Sequence, residues 1–408
     1  MNDRPEEQKR RLQWVLLPAL ITFSMGQTVL FAVAGPAFRE AGLAESQLGI
    51  VVSAAAVVFV FSSAIWGRIA DRWGRRPTVL FGLWSYGLVS ICFAAVLQLG
   101  IQGVLVTTTV FVGLLLLRLT YAALGAGIQP ASVAMMADLS TAQERSAAVA
   151  VVGAAFGMGM ILGPAAAAAL VGFGLLTPLY ALAGLGLVTA LVAQIALPRI
   201  AAVPTAREAA GRPVGLWPIL LAAMLVFLAI SALQQTMAFN VQDRLQLSSI
   251  DAARQAGFCF MAIALMTLLM QGGVIQWLKP SPRSMLLIGL PVGILGFVLY
   301  ALASAYWQLL AACGVIGIGF GLSNPGLTAA ASLRAGPEAQ GRTAGLMQAM
   351  MSAGYVFGPL TGTALYEVQP LYAPLLAGTA ALAALVVLVP TLVGGRSFAG
   401  DADGEAIA

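Results

Sequence analysis

The chain contains twelve runs of about 20 residues in which apolar side chains dominate, and no other feature limits its fold as strongly. A helix of about 20 residues crosses a hydrocarbon core of about 30 Å. Strands of a membrane barrel are about half as long and alternate polar with apolar residues, so the runs predict helices. We expect an all-α membrane protein with 12 transmembrane helices, at residues 13–35, 47–67, 78–99, 104–127, 146–171, 174–197, 216–241, 255–278, 284–304, 307–330, 343–366 and 371–394.

The composition supports lipid as the main solvent. Of the 408 residues 60% are hydrophobic and 9% are charged, whereas a soluble domain carries about 25% charged residues. The chain has no histidine, and its three cysteines, Cys92, Cys259 and Cys313, lie in apolar runs without metal-ligand spacing. We therefore expect no metal site, no cofactor and no disulfide framework.

The basic residues indicate the topology. Seventeen of the 21 lysines and arginines lie in segments on one side of the predicted spans, three (Arg39, Arg244 and Arg254) lie on the opposite side, and Arg118 lies within a span. Short cytoplasmic loops are rich in Lys and Arg. This predicts a multi-pass protein of the cell inner membrane with both termini in the cytoplasm. The net charge of +5 then reflects topology, and no nucleic-acid partner is expected.

The chain also shows an internal repeat. The longest polar connection divides it into an N-terminal six-helix half (1–198), a cytoplasmic linker (199–215) and a C-terminal half with a short tail (216–408). Four residues recur after a shift of 195 positions: Pro130, Gly159, Gly163 and Pro164 as Pro325, Gly354, Gly358 and Pro359. Parallel repeats of this kind occur in transporters. We expect two pseudo-symmetric six-helix halves.

The loop between spans two and three reads GRIADRWGRRP over residues 67–77. A glycine such as Gly67 permits close helix approach, and Asp71 can accept hydrogen bonds from arginines or from a helix N-terminus. Topology-setting charge alone would not require these glycines and this aspartate. The candidate conformational latch comprises Gly67, Asp71, Arg72, Gly74, Arg75 and Arg76.

Spans four and five carry two further patterns. Arg118 lies within span four, where a charge costs about 2.5–3.5 kcal/mol on insertion scales and needs a compensating role. Its partner could be a substrate anion, an amide such as Gln27, backbone carbonyls or an acid at a span end, and a snorkelling or structural arginine is the alternative. Span five has small residues at spacings that favour close packing, followed by proline: Gly153, Gly157, Gly159, Gly163 and Pro164.

These three segments resemble signature motifs of the major facilitator superfamily, and span five resembles that of its 12-span drug:proton antiporter branch. The resemblance implies the major facilitator fold and secondary active export of small organic molecules by rocking of two halves. It also implies proton coupling associated with Arg118, and we expect a monomer in the lipid bilayer. The alternatives are a specific exporter of an anionic metabolite or siderophore, or a uniporter. A membrane enzyme is disfavoured, because the chain has neither histidine nor a mid-span acid pair. A receptor is disfavoured, because we expect the short tails to leave no room for a signalling domain.

Polar residues on spans one, four, seven, ten and eleven are candidates for a substrate cavity, and the resemblance implies that the first four of these spans line it. They are Gln27, Arg118, Gln234, Gln235, Asn240, Asn324 and Gln348. Each amide could instead make an interhelical hydrogen bond. Members of the antiporter branch often have an acid in span one, but here Gln27 is its only strongly polar residue. The possible proton sites are therefore acids near span ends, Asp138 and Glu367, with Asp243 at a similar depth.

Overall fold

A computed structural model describes residues 3–140, 144–198, 215–335 and 339–393, and within these ranges the chain is helical with no strand. Its α-helices are α1 (Asp3–Glu40), α2 (Glu45–Trp73), α3 (Arg75–Ile101), α4 (Thr107–Gly125), α5 (Ile128–Asp138), α6 (Arg145–Leu170), α7 (Thr177–Ala196), α8 (Trp217–Leu245), α9 (Ser249–Leu268), α10 (Ile275–Leu278), α11 (Pro282–Leu302), α12 (Tyr306–Ala335), α13 (Gln340–Val368) and α14 (Tyr372–Val393). A π-helical turn, Leu269–Val274, joins α9 to α10.

The expected membrane fold is confirmed. Eleven helical segments within the described ranges are long and apolar enough to span a bilayer, with mean hydropathy of 1.4 to 2.4. Each of the twelve predicted spans falls largely on a helix. The predicted span 343–366 lies within α13, which is 29 residues long but is not one of the eleven, because it is rich in Gly, Thr and Gln.

The fourth span is longer than predicted. Its apolar segment runs over Thr107–Asp138, whereas the sequence predicted an end at residue 127. The helix is interrupted between α4 and α5, since Pro130 has no N–H to donate to the carbonyl of residue 126. The chain then resumes as α5, so the predicted end at residue 127 was wrong.

The chain divides into two compact units. The first comprises Met1–Ala206 with Val241–Phe258, and the second comprises Arg207–Asn240 with Cys259–Ala408. The end of α8 and the beginning of α9, within Val241–Phe258, therefore belong to the first unit, whereas the rest of both helices belongs to the second. The predicted boundaries at residues 198 and 215 lie at the edges of a segment outside the described ranges, and they remain a prediction.

Within each unit, one pair of helices packs through the same kind of contact. In the first unit, Thr28 of α1 donates a hydrogen bond to the Gly159 carbonyl of α6 at 3.4 Å. In the second, Ser231 of α8 donates to the Gly354 carbonyl of α13 at 3.0 Å. Both glycines belong to the 195-residue repeat. Because glycine has no side chain, two helices can approach closely enough for a hydroxyl to reach its carbonyl. The glycines that repeat in the sequence therefore make the same packing contact in both units.

Candidate substrate and coupling sites

Arg118 lies in α4, within the first unit, and its guanidinium has two neighbours. Its Nη2 donates to Oε1 of Gln27 on α1 at 3.2 Å, and its Cζ lies 4.5 Å from the ring centroid of Tyr121. Its Nε is buried without a hydrogen-bond partner. Among the partners expected for Arg118, the structure shows the amide, and no carboxylate of the described chain forms an ion pair with it. The contacts orient the guanidinium without neutralising its charge.

A cavity of about 440 Å³, counted with the open space at its mouth, lies beside Arg118. Its walls come from α1, α3, α4 and α7 of the first unit and are mostly apolar. Two aromatic side chains of its wall contact each other edge to face, since the rings of Tyr86 and Tyr121 have centroids 6.0 Å apart and planes at 69°. The cavity is therefore an apolar site with one charged group, which is the usual composition of a small-molecule site.

The other predicted cavity residues lie in the second unit. Gln234, Gln235 and Asn240 are on α8 and Asn324 is on α12, and each has a buried side-chain oxygen without a hydrogen-bond partner. Asn240 is fully buried and its amide nitrogen also has no partner. Leaving a buried polar atom unpaired costs about 1–3 kcal/mol. The interhelical hydrogen bonds expected as an alternative are therefore not present at these four oxygens.

Gln348 differs from the other amides. It is exposed on α13, and its Nε2 lies 3.5 Å from the Ser352 hydroxyl on the same helix. Of the seven candidates, Gln27 and Arg118 contact each other through a hydrogen bond. The remaining five, including Gln348, belong to the second unit. Two of the seven residues thus belong to the first unit and five to the second.

Two arginines of the 67–77 loop fasten helix ends. Arg75 is buried and pairs with the carboxylate of Asp138 at the end of α5, and it also donates to the Ala134 carbonyl at 2.6 Å. Arg76 donates to the carbonyls of Gln194 at 2.6 Å and Leu197 at 2.9 Å, at the end of α7. The last carbonyls of a helix have no partner within it. Both arginines thus satisfy helix C-termini and tie α3 to α5 and α7.

The other candidate latch residues, Gly67, Asp71, Arg72 and Gly74, do not tie helices together in this conformation. Gly74 turns the chain from α2 to α3 with φ of 97°, a region that favours glycine. Asp71 and Arg72 are exposed, and Asp71 forms no hydrogen bond or ion pair within the described ranges. A Cβ added to Gly67 would meet no atom within 4 Å. The close helix approach expected at Gly67 is therefore absent from this structure.

The span-five motif separates into two parts along α6. A Cβ on Gly159 would lie 2.5 Å from the Ile21 carbonyl oxygen, and one on Gly163 would lie 2.0 Å from the Thr28 hydroxyl. Gly153 and Gly157 have no neighbour within 4 Å of such an atom. Only the later glycines form the close-packed seam expected for the motif. Pro164, which follows them, lies inside the helix.

The two acids predicted as proton sites have different surroundings. Asp138 is buried and held by Arg75, so any change in its protonation acts on an ion pair. Glu367 is exposed near the end of α13. Neither carboxylate faces Arg118 through an ion pair. The Asp138–Arg75 pair links the span-four end to the 67–77 loop, a connection that the sequence did not predict.

A cluster of charged residues around Arg39 was not predicted from the sequence. Arg39 at the end of α1 binds both carboxylate oxygens of Asp243 on α8, at 2.5 and 2.9 Å. Its Nε also donates to Glu45 at the start of α2, at 2.7 Å. Residues 39 and 243 are more than 200 positions apart, and no spacing links them. The only signal was that both lie near the same predicted membrane face, at the ends of spans one and seven.

Comparison with known proteins adds independent information. The family profile described as Major Facilitator Superfamily matches residues 16–359 and 279–404. Multidrug resistance protein 2 of Bacillus subtilis is 25% identical over 380 residues, covering 89% of this chain and 91% of that protein. The quinolone resistance protein NorA of Staphylococcus aureus is 23% identical over 366 residues, covering 86% and 89%.

Solved structures share the fold at lower identity. The human organic anion transporter MFSD10 (TETRAN) superposes with a TM-score of 0.64 at 20% identity, covering 93% of this chain and 99% of that one. A bacterial homologue of the human lysosomal transporter Spinster, in an inward-facing and unoccupied conformation, gives a TM-score of 0.67 at 18% identity and covers 95% and 94%.

Proposed function

The chain belongs to the major facilitator superfamily, and from this premise we propose that it is a proton-coupled secondary active transporter that exports small organic molecules by alternating access. Membership in this family makes the protein a membrane transporter of small molecules. The direction of transport, the coupling to protons and the substrate range are our proposal. Relatives that match most of the chain are named for resistance to multiple drugs and to quinolones. Such names favour efflux of organic compounds.

One structural observation carries this proposal. Several buried polar atoms within membrane-spanning helices have no hydrogen-bond partner. They are the Nε of Arg118 in the first unit and four amide oxygens in the second. Polar groups inside a membrane are costly and commonly mark a substrate or ion pathway. A stable bundle without transport function would gain by pairing or replacing them, so we assign these groups to substrate binding and coupling.

The proposed setting is the cell inner membrane, with both termini in the cytoplasm and a monomer as the working unit. The excess of Lys and Arg on one face supports this orientation. Exposed tryptophans near helix ends, such as Trp73 and Trp277, are typical of membrane interfaces. The orientation places the 67–77 loop in the cytoplasm and Arg39 at the opposite face.

For coupling, we propose that protons act on carboxylates at the helix ends. Arg118 does not deprotonate and cannot carry the proton itself. Protonation of Asp138 would remove the charge that holds Arg75, and so would loosen the 67–77 loop from α5. Glu367 is the second candidate. In this scheme the proton acts on a conformational equilibrium, which shifts only as far as the two states differ in proton affinity.

Transport into everted vesicles tests the proposal. With an imposed pH gradient, wild type should accumulate members of a panel of organic solutes that includes cationic dyes, neutral compounds and carboxylates. Arg118→Ala and Asp138→Asn should lose most gradient-driven transport, and Glu367→Gln is tested in parallel. All variants are compared at equal amounts of monodisperse protein. Lack of response to the gradient in wild type would refute proton coupling, and lack of transport of the whole panel would refute organic-solute export.

A further inference from the structure

The cavity beside Arg118 is formed by one unit alone. Gly26, Val29 and Leu30 of α1 form one wall, Tyr86 and Phe93 of α3 another, and α4 and α7 close the remainder. The empty space in it reaches about 440 Å³ only when its open mouth is counted, and little of that space is enclosed. A compact ligand would fill it, whereas a large multidrug substrate would not.

The charge in this cavity is oriented but not neutralised. Gln27 and the Tyr121 ring position the Arg118 guanidinium, and both partners are formally neutral. Arg118 presents five N–H donors in a planar fork that matches a carboxylate, and its buried Nε remains without a partner. Because no acid of the described chain pairs with it, a bound anion would supply the missing charge.

The cavity walls indicate what should be attached to that anion. The Tyr86 hydroxyl lies 3.4 Å from the backbone carbonyl oxygens of Thr22 and Leu182 and can donate to either, and the side chain of Tyr86 lines the cavity. Gly26 and Gly186 pack against this ring, since an added Cβ would lie 2.6 Å from Tyr86 Cζ at Gly26 and 2.4 Å from Tyr86 Cε1 at Gly186. A fixed aromatic ring in an apolar wall favours an aromatic ligand.

From these contacts we infer that the cavity binds the carboxylate of a compact aromatic acid, with Arg118 as its ion-pair partner and Tyr86 and Phe93 beside its ring. A single arginine balances one negative charge. A phosphate dianion would leave an additional charge in an apolar site, which is unfavourable. The inference names a substrate class for the proposed function and rests on that function for transport, but binding itself is measurable separately.

Equilibrium binding to purified full-length protein tests the inference with three matched probes: 2-naphthoate, its neutral analogue 2-naphthamide, and the cation 2-naphthylmethylammonium. We expect naphthoate to bind at least ten-fold more tightly than the amide, and the cation to bind weakest. Arg118→Gln should remove the preference for the acid, and Arg118→Lys should retain part of it. Equal affinity for acid and amide in wild type, or an unchanged preference in Arg118→Gln, would overturn the inference.

A second variant tests the cavity without changing its charge. Ser90 lines the cavity on α3, so Ser90→Leu should partly fill it and weaken naphthoate binding at least ten-fold. Cys92→Leu, an exposed position two residues away on the same helix, is the matched control and should bind as wild type. Naphthoate affinity unchanged by Ser90→Leu would place the ligand elsewhere.

The outcomes separate this inference from the proposed function. Transport of other solutes by a protein that does not prefer naphthoate to naphthamide leaves the function standing and overturns the site. Conversely, naphthoate binding that depends on Arg118, together with no transport of any panel member, supports the site and refutes the function.

Discussion

Replacing Gly159 by alanine should weaken the contact between α1 and α6. The glycine faces backbone rather than a flexible side chain, since an added Cβ would lie 2.5 Å from the Ile21 carbonyl oxygen and 2.5 Å from Ser24 Cβ. Real Cβ atoms do not approach this closely, so the helices must separate. The hydrogen bond from Ser24 to the Phe156 carbonyl, at 2.7 Å, spans the same interface and would lengthen.

The expected magnitude follows from three contributions. Overpacking a close contact costs about 1–3 kcal/mol. Loss of an interhelical hydrogen bond in a membrane protein costs on average about 0.6 kcal/mol. Against these, replacing glycine by alanine within a helix gains about 1 kcal/mol. The net effect is a destabilisation of about 0.5–2.5 kcal/mol, and at about 2–4 °C per kcal/mol for a unit of this size the melting temperature should fall by roughly 1–10 °C.

The matched control is Gly157→Ala on the same helix. An added Cβ there meets no atom within 4 Å, so only the gain in helix propensity applies and the melting temperature should equal or exceed that of wild type. Thermal unfolding of both variants in one detergent, followed by tryptophan fluorescence, gives the comparison. If Gly159→Ala melts no lower than Gly157→Ala, the packing argument is wrong.

Three further predictions follow from the charged groups and the topology. Asp71→Asn should accumulate and melt as wild type, because Asp71 is exposed and unpaired here, but should transport at least several-fold more slowly; wild-type rates would reduce the loop to a topology signal. Arg75→Leu should destabilise the fold by about 3–5 kcal/mol by leaving the Asp138 carboxylate buried without its partner, and adding Asp138→Leu should restore most of this in thermal unfolding. In a cysteine-free background, a cysteine at position 102 should react with a membrane-impermeant maleimide only from outside the cell and one at position 283 only from the cytoplasm; labelling of both from one side would contradict the topology.

The fold was predictable because lipid leaves few choices. An apolar run long enough to cross the bilayer must form a helix, since its backbone groups have no water to bind. The repeat was predictable as well, because Gly159 and Gly354 perform the same packing task and a glycine there cannot be exchanged freely. The end of the fourth span was not, since Pro130 within an apolar run can end a helix or only interrupt it.

The site was predictable in its residue types and less so in its contacts. Arg118 was identifiable because a lone charge in an apolar run is costly, and Gln27 because it was the one strongly polar group in its span. The Arg39–Asp243 pair was not, since it depends on how distant helix ends meet. Gly67 and Gly153 illustrate another limit: a glycine pattern indicates that close packing is possible but not in which conformation it occurs.

The two halves repeat their packing but not their charge, and this difference bears on function. The shift of 195 residues that relates Gly159 to Gly354 places Cys313 at the position of Arg118, and Cys313 is fully buried. A second buried arginine would incur the insertion cost again, whereas a glycine contact is favourable in both halves. The shared residues therefore account for the fold, and the unshared residues are the candidates for recognition. Under the proposed function, the first unit would recognise charge through Arg118, and the amides of the second unit, such as Asn240 and Asn324, would contribute neutral hydrogen bonds.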